Sequence, residues 1–263
     1  MRTKIAVSIA ALSAGLLLAS SASAAVNLVQ NGGFELTTGS TTGGMLGDTV
    51  NATFWNVPNP LNPVDASYDW LFTPAAGTSG TNADTTGVFS TQNGILKLDG
   101  PGDGYSNGLT LSQDGGNFIG IDPAYRNGGP ITQTITGLVA GIDYTLKFDW
   151  AAAQQFNFPG GTFSGWNVTL GGSPVQTTGF ASIGQGGFSG WNQATMVFHA
   201  TSSTEVLSFL AIGGPDSTQP PFALLDGVSL TGVPEPTTWA LMIMGFGGIG
   251  AMVRNRRRQL ALA

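Results

Sequence analysis

Between residues 26 and 233, apolar and polar positions alternate in short runs. The clearest run is 143–150. There Tyr144, Leu146, Phe148 and Trp150 fall on one side, and Thr145, Lys147 and Asp149 on the other. A period of two belongs to a β-strand and turns the aromatic side toward a core. The preceding run, 131–136, sets Ile131, Gln133 and Ile135 on one side. Only 137–141 separates the two runs, and that short glycine-bounded link predicts a hairpin. Further strands are expected at 95–98, 117–122, 166–170, 191–200, 205–212 and 222–230. In 191–200, Ala194, Met196 and Phe198 share a face. Helical periodicity is scarce in this region, so the pattern predicts an all-β sandwich. The Gly/Thr/Asn/Pro-rich stretches 37–53 and 73–87 read as surface loops. No linker divides the segment into two domains. One repeat is visible: Phe163-Ser164-Gly165-Trp166-Asn167 returns as Phe188-Ser189-Gly190-Trp191-Asn192. Both copies are expected to open strands of one sheet.

The two ends differ from this middle. Arg2 and Lys4 begin the chain, 5–18 is apolar, and Ala22-Ser23-Ala24 forms a small-residue cleavage site. That is the form of a secretory signal peptide, expected at 1–24. At the other end no charge occurs from Pro236 to Val253, and Arg254, Arg256, Arg257 and Arg258 follow. As a helix, 237–253 is roughly 25 Å long, close to the ~30 Å hydrocarbon core of a bilayer. A single transmembrane helix is therefore expected there. The arginines mark its cytoplasmic end, with a short cytoplasmic tail at 259–263.

Charge and cysteine content narrow the function classes. Residues 26–233 hold fourteen carboxylates against Lys97, Arg126 and Lys147, a net charge of −11. Such a surface repels nucleic acid and anionic lipid, so no nucleic-acid partner is expected. It suits cations and neutral polymers. The chain has no cysteine. In an exported domain this removes disulfides as staples and leaves the core, or the core with a metal, to stabilise the fold. His199 is the only histidine, which also disfavours a zinc site.

The C-terminal stretch, with Pro234, Glu235, Pro236, Trp239 and Ala240 ahead of the apolar span and the arginines, resembles the PEP-CTERM sorting signal in its Trp-Ala subtype. The resemblance covers about a tenth of the chain, taken as 233–258. It implies export in a Gram-negative bacterium and a transient stay in the inner membrane. An exosortase-type enzyme would then process the tail, leaving the protein at the cell surface or outside the cell. A plain single-span anchor is the alternative.

The region 25–232 resembles the jelly-roll sandwiches of galactose-binding-like proteins and carbohydrate-binding modules. The resemblance is carried by the opening Asn27-Leu28-Val29-Gln30-Asn31-Gly32-Gly33-Phe34-Glu35, by the block 131–150, and by the closing Leu224-Leu225-Asp226-Gly227-Val228-Ser229-Leu230. It implies that the first and last strands lie close together, joined by a structural calcium ion on Glu35 and Asp226. Calcium takes carboxylate and carbonyl oxygens in a loose shell. Gly227 stands where a further oxygen ligand is often seen in these folds. Both acids capping turns is the other reading. No organic cofactor is expected.

A sugar ring stacks its C–H face on an aromatic side chain while polar neighbours hold its hydroxyls. Trp55, Tyr68, Trp70, Tyr105, Tyr125, Trp166 and Trp191 are the aromatic candidates. Trp55, Trp70, Tyr125, Arg126 and Trp166 are the expected carbohydrate-binding set, with Tyr125-Arg126-Asn127 the best local cluster. Trp150 is assigned to the core.

Other chemistry is poorly supported. Asp99-Gly100-Pro101-Gly102-Asp103-Gly104 departs from a calcium loop at Pro101 and at Thr110, and reads as an acidic turn. His199 lies across the strand from Met196 and Phe198, on a solvated face. No G-x-S-x-G elbow is present. The glycines of Gly245-Phe246-Gly247-Gly248-Ile249-Gly250 match G-x-G-x-x-G, but only 13 residues follow and none is acidic. They belong to the apolar span. The expectation is a non-catalytic surface or matrix protein that binds extracellular polysaccharide. A glycan-active hydrolase using acids such as Asp65, Asp69, Asp103 and Asp122 is one alternative. A purely structural matrix protein or adhesin is the other.

Overall fold

The structure, a computed structural model, describes residues 26–39, 43–58, 68–73, 85–86, 95–100, 105–125, 128–233, 245–250 and 254. Fifteen strands occur among these. In chain order they are β1 (Thr37–Gly39), β2 (Gly44–Met45), β3 (Val50–Ala52), β4 (Asp69–Phe72), β5 (Thr85–Thr86), β6 (Ile95–Leu96), β7 (Phe118–Ile121) and β8 (Ile131–Thr136). β9 (Asp143–Gln154), β10 (Thr162–Leu170), β11 (Gln176–Thr177), β12 (Ala181–Ile183), β13 (Asn192–His199), β14 (Thr204–Gly214) and β15 (Pro221–Gly232) complete the set.

The main strands form an all-β jelly-roll sandwich. One sheet has the order β13-β9-β15-β7-β4-β2. The other runs β11-β10-β14-β8, with β12 also pairing β10. Residues Asn27–Gly232 make up one compact unit. In the other unit, residues 245–250 and Arg254 are helical. Among the described residues no helix is long and apolar enough to cross a membrane. The expected signal peptide 1–24 and tail 259–263 lie outside the described residues, as does most of the expected span 237–253.

The period-two reading of 131–136 and 143–150 gives the correct faces. Ile131, Gln133 and Ile135 are buried, and so are Tyr144, Leu146, Phe148 and Trp150. The expected hairpin does not form. β8 pairs β14 in one sheet, whereas β9 pairs β13 and β15 in the other. The link 137–141 is an arch between sheets. Leu138 is buried beneath it, and the Val139 amide donates to the Tyr144 hydroxyl at 2.9 Å. Gly137 and Gly141, at φ 83° and 88°, supply the left-handed backbone that its two corners need.

A second correction concerns 37–53. This stretch holds β1, β2 and β3, and Met45, Leu46 and Val50 are buried without residual exposure. Its few apolar residues all find the core, so its glycine-rich composition misleads. Of 73–87, only residues 73, 85 and 86 are described. The repeat is the third correction. Its first copy lies within β10 and its second leads into β13, in different sheets.

Two apolar clusters organise the sandwich. The larger lies between the sheets and includes Phe34, Trp55, Phe148, Trp166 and Phe209. The smaller covers the outer face of the six-stranded sheet, with Tyr68, Trp70, Phe72, Phe118, Phe222 and Leu224. Leu96, Leu98 and Leu109 join it from the segments 95–98 and 105–111. This extra layer explains why 151–154 and 221–226 are buried at every position, although a one-sided strand would alternate.

Candidate functional site

β9 and β15 pair in a register that sets Asp149 opposite Asp226. Both face outward, as Ala151 and Leu224 do further along. Like charges directly opposite one another on a sheet destabilise it. Here the ladder gives way: the register shifts between Asp226 and Ser229, and Gly227 takes φ 58°.

The segment leading into β7 closes over this pair. The Ser112 hydroxyl donates to Asp226 Oδ2, and the Gly227 amide donates to Oδ1 at 2.8 Å. The amides of Asp114 and Gly115 donate to the Ser112 oxygen at 3.1 and 3.2 Å. Glu35 accepts from the Asn117 amide at 2.6 Å, and Asn117 Nδ2 donates to the Phe34 carbonyl at 3.1 Å. A Cβ on Gly33 would lie 2.2 Å from Asp114 Oδ2 and 3.8 Å from Asp226 Oδ1. A Cβ on Gly116 would lie 1.9 Å from Glu35 Oε1. Gly33 and Gly116 therefore leave the room in which the acids gather.

The electrostatics follow from this crowding. Asp226 is fully buried, and burial pushes its carboxyl up to about 8. The hydrogen bonds from Ser112 and Gly227 oppose the rise, and the charges of Asp114 and Glu35 add to it. Asp149 is also raised by burial, with Asp114 adding to the rise and hydrogen bonds from Gln193 and Gln113 opposing it. Among the described residues, no lysine or arginine pairs with any of the four acids.

Glu35 and Asp226, the expected calcium ligands, thus lie within electrostatic reach of each other, with Asp114 and Asp149 beside them. The oxygen donors and their uncompensated charge fit a hard cation in kind. Among the described residues, however, no group of three or more acids is arranged as a finished metal cage.

The aromatic expectations divide. Trp55, Trp70 and Trp166 are buried, so none presents a ring face to a sugar. Trp55 packs between the sheets at 5.3 Å from Phe34 and donates Nε1 to the Asn31 carbonyl at 2.9 Å. Trp166 donates Nε1 to the Leu224 carbonyl at 3.0 Å. Trp70 sits under the outer layer, edge-on to Tyr68 at 5.3 Å. In an interior this apolar, a large ring gains more from full burial than it would at a surface. Tyr125 is half-buried at the rim of the outer layer, with its ring 5.0 Å from Tyr68. Arg126 and Asn127 lie outside the described residues.

Trp191, an aromatic candidate outside the expected binding set, is joined by Phe188, which no sequence pattern marks as a sugar contact. Both are half-buried at the edge of the same outer layer. Trp191 stands edge-on to Phe118 at 5.6 Å and to Phe188 at 6.3 Å. Its Nε1 donates to the Thr110 carbonyl at 2.8 Å. That bond ties the indole to the segment that carries Ser112 and Asp114. The repeat marked this tryptophan, but nothing in it distinguishes a rim position from a core one.

Of the acids considered for hydrolysis, Asp65 and Asp103 lie outside the described residues. Asp69 and Asp122 are both buried, with Asp122 pushed up to about 7 by burial against opposing bonds from the Ala124 and Tyr125 amides. Alternation along β4 puts Asp69 on the inner side with Leu71. Alternation along β7 carries Asp122 to the outer side with Phe118. Two carboxylates on opposite faces of a sheet do not flank one glycosidic bond. His199 is exposed and pairs with Asp143 at 2.8 Å.

Solved structures with a similar arrangement include sugar-binding domains. One is a family 61 carbohydrate-binding module in complex with β-1,4-galactotriose, at 12% identity and TM-score 0.37, covering 79% of this chain and 99% of that one. Another is the CBM22-1 xylan-binding domain of Paenibacillus barcinonensis Xyn10C, at 10% identity and TM-score 0.36, covering 81% and 97%. A third is an arabinose-bound α-L-arabinofuranosidase, at 13% identity and TM-score 0.33, covering 78% of this chain and 26% of that one. No curated protein matches the sequence. At the C-terminus, Arg254 is helical and exposed, while Pro234, Glu235, Pro236, Trp239, Ala240, Arg256, Arg257 and Arg258 lie outside the described residues. Residues 232–258 match a family model, and on that match the chain carries a PEP-CTERM protein-sorting motif, the mark of an exported protein handled by an exosortase and held transiently at a membrane.

Proposed function

We propose that the sandwich is a non-catalytic module that binds neutral extracellular polysaccharide after export across the inner membrane of a Gram-negative cell. The exosortase-type enzyme processes the tail, and the protein then works at the cell surface or in the extracellular matrix, where exopolysaccharide and biofilm material are its surroundings. The observation that carries this reading is the aromatic rim of the outer layer. Trp191 and Phe188 stand at one edge and Tyr125 at another, each half-buried on a rigid apolar base. A ring held by packing and by the Trp191–Thr110 bond loses little freedom when a sugar stacks on it. Arg126 and Asn127, next to Tyr125, supply hydroxyl partners.

Calcium is the proposed structural ion, held by Glu35 and Asp226. It would offset the charge that Asp114 and Asp149 add and tie the opening segment to the last strand. Its role is to stabilise the platform, with no part in bond cleavage.

The test is calorimetry of the protein with xylan, galactan and cellulose, with and without calcium. Trp191→Ala is expected to weaken the best polysaccharide about tenfold, ~1.4 kcal/mol. Undiminished binding by that variant would refute the rim as the site. Turnover of any of these polymers would refute the non-catalytic reading.

A further inference from the structure

The two ends of the sandwich are unlike. At one of them β8, β10, β13 and β15 stop and β9 and β14 begin. The chain also enters and leaves the sandwich here. Asn27 bridges Thr231, and the Leu28 amide donates to the Leu230 carbonyl at 2.9 Å. Thr231 aligns with Thr145 and Thr145 with Val197, so one row runs from the opening segment to the edge strand. Four valines stand 46–60% exposed around this end. Val139 is in the arch 137–141. Val197 on β13 and Val206 on β14 alternate with buried neighbours and point outward from the two sheets. Val175 precedes β11, where Gln176 Nε2 donates to the Val197 carbonyl at 2.6 Å and links the sheet edges. The two carboxylates carried by these strand ends are both answered. Asp143 pairs with His199 at 2.8 Å. Glu205 Oε1 accepts from the Thr201 and Ser202 amides at 2.7 and 3.0 Å and from the Thr201 hydroxyl at 2.7 Å. Asp149, one of the uncompensated acids around Asp226, lies six residues farther along β9, about 20 Å away.

We infer that this end of the sandwich rests against the electrically neutral headgroup surface of the bilayer that holds the tail, and does so only while the tail is attached. The inference rests on the tail being seated in a membrane and is independent of the glycan reading. Covalent reach comes first. β15 ends at Gly232, where the sorting-motif match begins, and the apolar stretch starts at Thr237. Five fully extended steps span at most ~17 Å. The bilayer surface therefore stays within reach of this end for as long as the tail is in it. Charge selects the face. The segment 26–233 carries −11, and its uncompensated acids are kept away from the surface when this end meets it. Depth agrees as well. Val197 and Val206 lie two residues in from His199 and Thr204, or ~7 Å, within the ~5–10 Å to which interfacial elements sink. The contact is conditional by design. Four half-exposed valines bury too little to hold a free domain on a membrane, but a short tether supplies a local concentration in the range of about a millimolar. Cutting the tail removes that advantage, and the domain leaves without a further step. A second copy brings another −11 to the valines and has no such tether.

The chain has no cysteine, so one introduced thiol is labelled without ambiguity. Val139→Cys, Val175→Cys and, in the exposed loop at the far end, Ser217→Cys are each labelled with an environment-sensitive dye. The full chain is reconstituted into phosphatidylcholine vesicles that carry a shallow nitroxide lipid, and flotation measures how much of it is membrane-bound. Dye at 139 and 175 is expected to be quenched and dye at 217 to be spared. Adding Val197→Asp and Val206→Asp together should abolish most of the quenching at 139 and 175 while the melting temperature holds. A flexible Gly/Ser spacer about five times the native tether length, inserted after Gly232, should lower the docked fraction about tenfold. Quenching at 139 and 175 that ignores both the aspartates and the spacer overturns the inference, because the tether alone then accounts for it. Equal quenching at all three positions overturns it too. If quenching at 139 and 175 is absent and disulfides form between copies through those thiols, a second copy covers the valines and the inference fails. If the chain does not float with the vesicles, the tail is not seated in them and the inference falls with it, while polysaccharide binding by the same chain remains a separate result.

Discussion

The two copies of Phe-Ser-Gly-Trp-Asn share five residues and almost nothing else. In the first, Trp166 is fully buried between the sheets and bonded to the Leu224 carbonyl. In the second, Trp191 stands half-buried at a rim and is bonded to the Thr110 carbonyl. Ser164 donates to the Phe222 carbonyl across the sandwich, whereas Ser189 donates to the Gly190 carbonyl and accepts from the Ala152 amide. The phenylalanines exchange roles as well. Phe163 is exposed beside Phe180, and Phe188 leans on the outer apolar layer. An indole needs an apolar bed and one acceptor, and both settings provide them. What differs is the number of layers above the strand. That number depends on the rest of the fold, so the motif alone cannot fix which tryptophan stays available to a ligand.

The sharpest way to break this comparison is to truncate each indole. Trp166→Ala opens a large hole in a filled core and is expected to cost about 3–5 kcal/mol. For a domain of this size that lowers the melting temperature by roughly 10–15 °C. Trp191→Ala removes a half-buried ring and one hydrogen bond, and is expected to cost roughly 1–2 kcal/mol. Scanning calorimetry of both variants measures the difference. Equal losses would mean that Trp191 is a core residue like its counterpart and that the rim is no platform.

The central glycines give a smaller contrast. A Cβ on Gly165 would sit 1.9 Å from the Gly179 carbonyl oxygen, a backbone atom with little room to retreat. A Cβ on Gly190 meets nothing within 4 Å, but its φ of 76° suits glycine. Gly165→Ala is therefore expected to destabilise by about 3 kcal/mol, through overpacking. Gly190→Ala is expected to cost about 1 kcal/mol, through backbone strain alone. Chemical denaturation ranks the two, and the reverse order would show that the 178–180 segment moves aside freely.

These contrasts also mark how far the sequence could be read. Faces of long strands were legible because alternation is local: 131–136 and 143–150 bury the side that their period indicates. Pairing was not, because a short glycine-bounded link serves an arch as well as a hairpin, and only contacts with β14 and β15 decide between them. The outer apolar layer was hidden for the same reason. Trp70 and Phe72 alternate with Asp69 and Leu71 as on a one-sided strand, and what covers them comes from segments far away in sequence. Glu35 and Asp226 were paired by the resemblance of the chain's opening and closing stretches. Asp149 joins them through a register that no local pattern reveals, and Asp114 through a loop.

The acids provide a way to tell the two indoles apart without mutation. The carboxyls of Asp226 and Asp122 are pushed up to about 8 and about 7, and that of Asp149 is also raised. In the unfolded chain each titrates near 3.9. Between about pH 4 and pH 8 the folded protein therefore holds protons that the unfolded chain has released. Stability must then fall as pH rises through that window. In calcium-free buffer the melting temperature is expected to fall steadily from pH 5 to pH 8. Calcium should remove the share of that slope that Asp226 contributes if it binds Glu35 and Asp226, because it favours the ionised carboxylates at high pH. Asp226→Asn should reduce the slope without calcium, leaving the part that Asp122 and Asp149 contribute. The change should also be felt unequally. Ser112 bonds Asp226, and Thr110, two residues earlier, accepts the Trp191 indole, so fluorescence from Trp191 should shift across the window. Trp166, bonded to Leu224 deep in the sandwich, should not respond, and Trp191→Phe should abolish the shift. A shift that survives in that variant would mean that protonation at the acids is transmitted through the core, and the distinction between rim and interior would not hold.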